Sequence, residues 1–157
     1  MITKPTEESI AFQIVSTRVF AASRDAVFGA FSDPERLKLW WGPNGFTNTF
    51  HEFDFRPGGA WKYVMHGPDG TDYANESEFV EIVRPERIVI DHLRPMHRFL
   101  MTMSFDDVDG QTRLTWRMRF DTTAEVDKLR PWIEPANEEN FDRLAECLAT
   151  IPHKEQP

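Results

Sequence analysis

The chain has 157 residues, with thirteen phenylalanines, five tryptophans, a single cysteine and a formal net charge of −8. One cysteine excludes an internal disulfide framework, and the negative charge argues against nucleic acid as a partner, because binding phosphates requires clustered lysine and arginine. No stretch approaches the ~18 apolar residues of a membrane span and the first residues lack a secretory pattern, so we expect a cytoplasmic protein with no membrane partner.

The N-terminal part of the chain predicts one strand and two short helices. Residues 10–20 are rich in β-branched and aromatic residues, which favour a strand. Ser23 stands where a first helix needs its N-cap. Asp33 and Pro34 are residue types that begin a second helix, and Gly42 is of the type that ends one.

Residues 46–121 alternate between apolar and polar side chains, which is the period of strands with one buried face. Turn sequences such as GPDG and DVDG separate the segments, so we expect an antiparallel meander of about six strands. The clearest apolar faces in this region comprise Phe99, Met101, Met103 and Phe105, followed by Leu114, Trp116, Met118 and Phe120.

A long helix is predicted at the end of the chain. Thr122 and Glu125 have the spacing of a capping box, whereas Pro131 and Pro135 should break or kink the first part of the helix. Its apolar stripe consists of Phe141, Leu144, Ala145 and Leu148. This order of elements predicts an α+β fold in which a curved sheet encloses the last helix and leaves a small-molecule cavity between them.

Five stretches of the chain carry a family resemblance: RVFAASRDAVFGAFSDPERLKLWWGP, DFRPGGAWKYVMHGPDG, EFVEIVRPERIVI, GQTRLTW and FDRLAECLA. They resemble the START/SRPBCC (Bet v 1-like) superfamily, and specifically its branch named for homology to the activator of heat shock protein 90 ATPase. The resemblance implies the helix-grip fold, a curved antiparallel sheet of six to seven strands around a long C-terminal helix, with two short helices after the first strand. It implies a single domain over residues 9–151, with 1–8 and 152–157 as flexible ends.

Three residues differ from those usual in this branch, and the resemblance also implies roles for the adjacent tryptophans Trp40 and Trp41. Ala136 and Asn137 stand where the branch often carries Gly-Trp, and Ser77 stands where it usually has glycine, so we expect these positions to border the cavity. The second short helix lies across an opening of the grip in this family. Trp40 is therefore expected to anchor that helix and Trp41 to line the cavity mouth; the alternative is that both are structural.

Metal, cofactor and nucleophile motifs are missing from the sequence. No HxxxH, HExxH or paired-cysteine pattern occurs, so we expect no metal and no cofactor. No GxSxG motif is present either, and Cys147, beside the apolar stripe of the last helix, is expected to be a packed thiol.

Polar side chains on predicted inward faces are the candidates for catalysis. His51 shares its predicted face with Phe53. If Val80 points inward, Glu78 does as well, and it then lies opposite His92 across a turn, which would form a buried acid–base pair. In the alternative register, shifted by one residue, Glu78 faces water.

The predicted ligand-binding wall combines aromatic, methionine and candidate polar residues, and the alternative for its apolar members is plain core. Methionine is flexible and polarisable, which suits a pocket for varied ligands. The predicted set is Trp41, His51, Phe53, Trp61, Tyr63, Met65, Glu78, His92, Met101, Met103, Trp116 and Met118.

Three functions are compatible with the sequence. The first is binding of a hydrophobic small molecule in the cavity. The second is acid–base catalysis of the polyketide cyclase/aromatase type by His51, Glu78 and His92. The third is a protein-interaction module related to chaperone ATPase activation, although the resemblance gives little ground for a chaperone partner in a lone domain.

We expect the protein to be a monomer or a homodimer. The outer row of Arg113, Arg117 and Arg119 would be a solvated face or would meet an acidic partner.

Overall fold

The computed structural model describes residues 12–94 and 98–150. The predicted flexible ends and the first residues of the predicted strand 10–20 lie outside these ranges. The helices are α1 (Arg24–Ser32), α2 (Pro34–Trp40) and α3 (Thr123–Ala149). The strands are β1 (Gln13–Phe20), β2 (Thr47–Phe53), β3 (Ala60–His66), β4 (Asp72–Val83), β5 (Arg87–Arg94), β6 (Phe99–Val108) and β7 (Gln111–Arg119).

The strands form one antiparallel sheet in the order β1-β7-β6-β5-β4-β3-β2. Strands β2 to β7 follow one another as a meander, and β1 joins the far edge beside β7. The connection from β1 to β2 must therefore cross the width of the sheet, and α1 and α2 form that connection. The predicted helix-grip fold, a curved sheet around a long last helix, is confirmed.

Side-chain caps fix where the helices begin. The hydroxyl of Ser23 accepts a hydrogen bond from the backbone N–H of Ala26, and the carboxylate of Asp33 accepts one from Glu35. The hydroxyl of Thr122 accepts the N–H of Glu125 at 3.1 Å. Because each cap pairs a backbone N–H that has no partner within its helix, these local signals were sufficient to place the helix starts.

The prolines do not interrupt α3, which runs unbroken from 123 to 149, so the predicted break is wrong. Pro131 and Pro135 each lack the N–H that would bond the carbonyl four residues earlier. The residues carrying those carbonyls, Asp127 and Pro131, are exposed, and so is Pro135. Water can therefore solvate the freed carbonyls, and the helix continues.

The core lies between the inner face of the sheet and the three helices. Its largest fully buried side chains include Trp40, Trp61, Trp116, Phe28, Phe105 and Phe141. The apolar faces predicted for β6 and β7 both point inward, and the outer row of Arg113, Arg117 and Arg119 is exposed. On α3 the stripe is narrower than predicted, because Ala145 faces outward.

Candidate functional site

A cavity of about 400 Å³ lies between the inner face of the sheet and the middle of α3. This volume is within the ~300–1,000 Å³ range of small-molecule sites. Helix α3 contributes Leu129, Trp132, Ile133, Ala136, Asn137 and Asn140 to its wall. The sheet contributes Trp61, Tyr63, Met65, Tyr73, Asn75, Ser77, Ile90, His92, Phe99, Met101, Trp116 and Met118, and the connecting segments contribute Trp41, Gly42, Pro43, Phe46 and Phe120.

The adjacent tryptophans that end α2 have different roles. Trp40 is 1% exposed, and its indole N–H donates to the carbonyl of Ala30 at 3.1 Å, which fastens α2 to α1. Helix α2 ends at Trp40, and the backbone of Trp41 is extended. This change of conformation turns the Trp41 side chain into the cavity wall, where its indole N–H donates to the hydroxyl of Tyr63 at 3.1 Å.

Aromatic rings cluster around Trp41. Its ring centroid lies 5.2 Å from that of Trp61 and 5.5 Å from that of Trp116. Trp61 in turn stacks on Tyr63, with centroids 4.3 Å apart and an interplanar angle of 24°. Aromatic walls of this kind favour flat ligands, because offset stacking and edge contacts add to the burial of apolar area.

Loop 41–46, which follows α2, is held by Arg143 of α3. Arg143 is half-buried, and desolvation by burial lowers the pKa of its guanidinium below the ordinary value. Its two Nη nitrogens donate to five backbone carbonyls at 2.9–3.2 Å, those of Leu39, Trp41, Gly42, Pro43 and Phe46.

Asn140, one turn earlier on α3, also bonds the end of α2 and this loop. Its amide nitrogen donates to the carbonyl of Trp40 at 2.8 Å, and its amide oxygen accepts the N–H of Gly42 at 3.2 Å. Gly42 has φ +100, a left-handed conformation that favours glycine. Helix α3 therefore fixes the segment that presents Trp41 to the cavity.

A polar patch lies on the β3–β5 part of the cavity wall, which is otherwise largely apolar; it comprises Tyr63, Asn75, Ser77 and His92. Tyr63 pairs directly with Asn75 across β3 and β4, and Ser77 pairs directly with His92 across β4 and β5. Burial raises the pKa of the Tyr63 hydroxyl well above its ordinary value, so this group stays protonated.

Asn75 orients His92. The Asn75 amide nitrogen donates to the carbonyl of Tyr73 at 2.9 Å, which leaves its amide oxygen toward His92 Nε2, 3.0 Å away. Since that oxygen can only accept, Nε2 carries the proton of this hydrogen bond. The imidazole also stacks on Phe99, with centroids 4.5 Å apart.

The acid–base pair predicted from sequence is not formed. Ser77, rather than Glu78, stands opposite His92, and Glu78 is exposed and pairs with Asp91. Phe79 is buried and Val80 is 48% exposed, so the predicted register was wrong by one residue, as the alternative reading had it. A bulge between Phe79 and Glu81 shifts the alternation, and this explains the error.

The prediction for β2 was also wrong. A bulge between Phe50 and Glu52 places both Phe50 and Phe53 inward and leaves His51 exposed. Phe53 packs against Phe55, Trp61 and Phe79 in the core rather than lining the cavity. The candidates His51, Glu78 and His92 are therefore not brought together.

Most of the predicted wall does line the cavity. The residues found there are Trp41, Trp61, Tyr63, Met65, His92, Met101, Trp116 and Met118. Met103 is 1% exposed and belongs to the core outside this cavity. The departures noted in the sequence, Ser77, Ala136 and Asn137, line the wall as well. Sequence reasoning missed Asn75, and a correct register for β4 would have shown it, because Asn75 shares a face with Ser77 and Phe79.

Three further observations bear on metal binding, thiol chemistry and membrane insertion. In the part of the chain that the structure describes, no three His, Cys, Asp or Glu side chains are grouped as metal ligands would be. Cys147 is half-buried against the core, and burial raises the pKa of its thiol. Within residues 12–94 and 98–150, no helix has the length and apolar character needed to cross a membrane.

The fold is shared with solved bacterial structures. A protein from Arthrobacter aurescens is 23% identical with a TM-score of 0.83, covering 96% of this chain and 94% of that chain. A protein from Rhodobacter sphaeroides is 24% identical with a TM-score of 0.82, covering 90% and 95%. The AHSA1 protein from Silicibacter pomeroyi is 22% identical with a TM-score of 0.73, covering 87% and 97%. At these identities the likeness concerns the fold.

A family model described as Activator of Hsp90 ATPase homolog 1-like protein matches residues 21–149. No curated protein matches the chain. The chain belongs to the Activator of Hsp90 ATPase homolog 1-like family, as the sequence motifs predicted.

Proposed function

We propose that this member of the family binds a small, flat, largely apolar molecule in the cavity between the sheet and α3. The observation that carries the proposal is the cavity itself, about 400 Å³ with tryptophans 41, 61 and 116 in its wall. An apolar space of this size with a few polar groups on one side is the usual form of a small-molecule site.

The exposure of Trp132 supports an opening of the cavity to solvent. It lines the cavity and is nevertheless 78% exposed, so the wall reaches the protein surface at this point of α3. An exposed tryptophan at the mouth can add its ring to the contacts of a flat ligand, because indole provides a large apolar surface.

The composition of the wall favours binding over acid–base catalysis. Among the described residues, no aspartate or glutamate lines the cavity, and the carboxylate proposed from sequence, Glu78, is on the outer face. Binding of an apolar molecule requires no carboxylate in the wall. The cavity also favours a ligand over the protein-interaction hypothesis, because a module that acts only through its surface needs no open interior.

The proposal is tested by titrating the protein with the neutral aromatic probe N-phenyl-1-naphthylamine and following probe fluorescence. The variant Ala136→Phe should fill part of the cavity, because Ala136 lies in its wall. The matched control is Ala145→Phe, an exposed position on the same helix. We expect saturable binding by the native protein and by A145F, and binding at least about tenfold weaker in A136F.

Two results would contradict the proposal: no saturable binding by the native protein, or equal binding by A136F and A145F when both variants remain folded. Native mass spectrometry of the freshly purified protein, followed by denaturation, complements the titration. A near-stoichiometric apolar compound released on denaturation would identify the chemical class of the physiological ligand.

A further inference from the structure

Several hydrogen-bond donors in the cavity wall have no acceptor among the described residues. The Tyr63 hydroxyl accepts from Trp41, and no described residue accepts the Tyr63 hydroxyl hydrogen. The hydroxyl of Ser77 and the indole N–H groups of Trp61 and Trp116 are buried, with no hydrogen-bond partner in the described part of the chain. Each of these residues is at most 3% exposed and lines the cavity. Leaving such a group unpaired costs about 1–3 kcal/mol, so a ligand that pairs it gains affinity.

Three of these donors, those of Trp61, Ser77 and Tyr63, belong to neighbouring residues of β3 and β4. Trp61 on β3 pairs directly with Ser77 on β4, and Tyr63 lies two residues further along β3 on the same inner face. Diagonal neighbours on one sheet face are about 7–8 Å apart, within reach of a single functional group and its ring. The Ser77 hydroxyl can turn toward the cavity by rotating about χ1 alone.

The described part of the wall has no fixed charge to match an ionic ligand. Among the described residues, no aspartate, glutamate, lysine or arginine lines the cavity. A carboxylate or ammonium group would lose its hydration there without gaining an opposite charge, which is strongly unfavourable. The donors instead match a neutral oxygen acceptor.

We infer that the cavity selects uncharged aromatic molecules that carry a hydrogen-bond-accepting oxygen of the ketone or quinone type. Tyr63 and Ser77 bind this oxygen. The inference rests on the proposed function. The flat aromatic part lies against the tryptophans around Trp41, and the oxygen lies at the β3–β4 part of the polar patch. The part of the wall formed by Met101 of β6, Met118 of β7 and Leu129 of α3 accommodates apolar substituents.

Three ligands of nearly the same shape test this inference: 2-acetylnaphthalene, 2-isopropenylnaphthalene and 2-naphthoate. The first carries a ketone, the second replaces its oxygen by a CH₂ group, and the third carries a negative charge at neutral pH. Affinities are measured by quenching of tryptophan fluorescence for the native protein, Tyr63→Phe and Ser77→Ala. The control is Ser104→Ala, a serine of β6 that does not line the cavity.

The readout is the ratio of ketone affinity to alkene affinity, because comparing this ratio between variants cancels the different hydration of the two ligands. We expect the ratio to fall about three- to tenfold in Y63F and in S77A and to stay unchanged in S104A. 2-Naphthoate should bind the native protein at least about tenfold more weakly than the ketone.

An unchanged ratio in both Y63F and S77A, or naphthoate binding as tightly as the ketone, would overturn the inference while leaving the proposed function intact. Equal losses of ketone and alkene affinity leave the ratio unchanged, so they also count against it. If none of the three ligands binds a native protein that does bind N-phenyl-1-naphthylamine, the inference alone is overturned. If the native protein does not bind that probe either, the proposed function is overturned as well.

Discussion

Replacing Arg143 by methionine should destabilise the protein and loosen the wall of the cavity. Methionine keeps an unbranched apolar chain but removes the guanidinium that bonds the carbonyls of loop 41–46 and of Leu39. These carbonyls would lose their donor, and the backbone that positions Trp41 would lose its main connection to α3.

The size of the loss follows from the contacts. A hydrogen bond from a charged donor contributes about 1.5–3 kcal/mol, but the Nη nitrogens have fewer hydrogens than this set of acceptors, so some bonds are shared. The bond to Leu39 is exposed, and water can replace it. Desolvation of the cation opposes the gain. We therefore expect R143M to lower the free energy of unfolding by about 2–4 kcal/mol.

Urea denaturation of R143M, with Arg117→Met as the matched control, measures this loss. Arg117 lies on the exposed outer face of β7, and its replacement should change stability by no more than about 0.5 kcal/mol. Arg143→Lys should recover only part of the loss, because one ammonium cannot reach acceptors spread along the loop. Equal effects of R143M and R117M would show that packing alone holds the loop, and the reasoning would be refuted.

Other predictions concern packing, helix continuity and pH. Trp116→Ala should cost about 3–5 kcal/mol in urea denaturation, since Trp116 is 1% exposed; a loss below about 1.5 kcal/mol would contradict its core role. Pro135→Ala should raise the free energy of unfolding by about 1–3 kcal/mol by restoring a helical N–H, and a fall in Tm would count against this. Because burial raises the pKa of Tyr63 above 10.0, the unfolded chain ionises first, so native stability should fall above about pH 10. The free energy of unfolding of Tyr63→Phe, measured by urea denaturation, should fall less over that pH range. Parallel pH curves for the native protein and the variant would argue against a buried hydroxyl.

Regular alternation made some strands predictable and others not. The inward faces of β6 and β7 could be read directly from the sequence, because each strand keeps a period of two throughout. In β2 and β4 a bulge adds one residue, and every side chain beyond it changes face. Nothing in the alternation of apolar residues marks those points, so His51 and Glu78 were placed on the wrong face.

Long-range polar contacts were beyond the reach of local patterns. Asn140 and Arg143 bond backbone groups about a hundred residues earlier in the chain, and these partners are carbonyls and the N–H of Gly42, which carry no sequence signal. The sequence did indicate the two ends of this contact separately, as a helix end at Gly42 and as a long last helix. Their junction required the three-dimensional structure.

Trp116 belongs both to the core and to the cavity wall, and this affects how the site binds a ligand. Trp116 packs against Phe31 and Phe141 and also lines the cavity beside Trp41. A side chain with both roles holds a rigid surface toward the ligand, because its position is fixed by packing on its other side. Ser77 and Ala136, in contrast, carry small side chains on the same wall. Because these small side chains stand beside a fixed aromatic frame, substitutions at Ser77 or Ala136 should change ligand preference without disturbing the core.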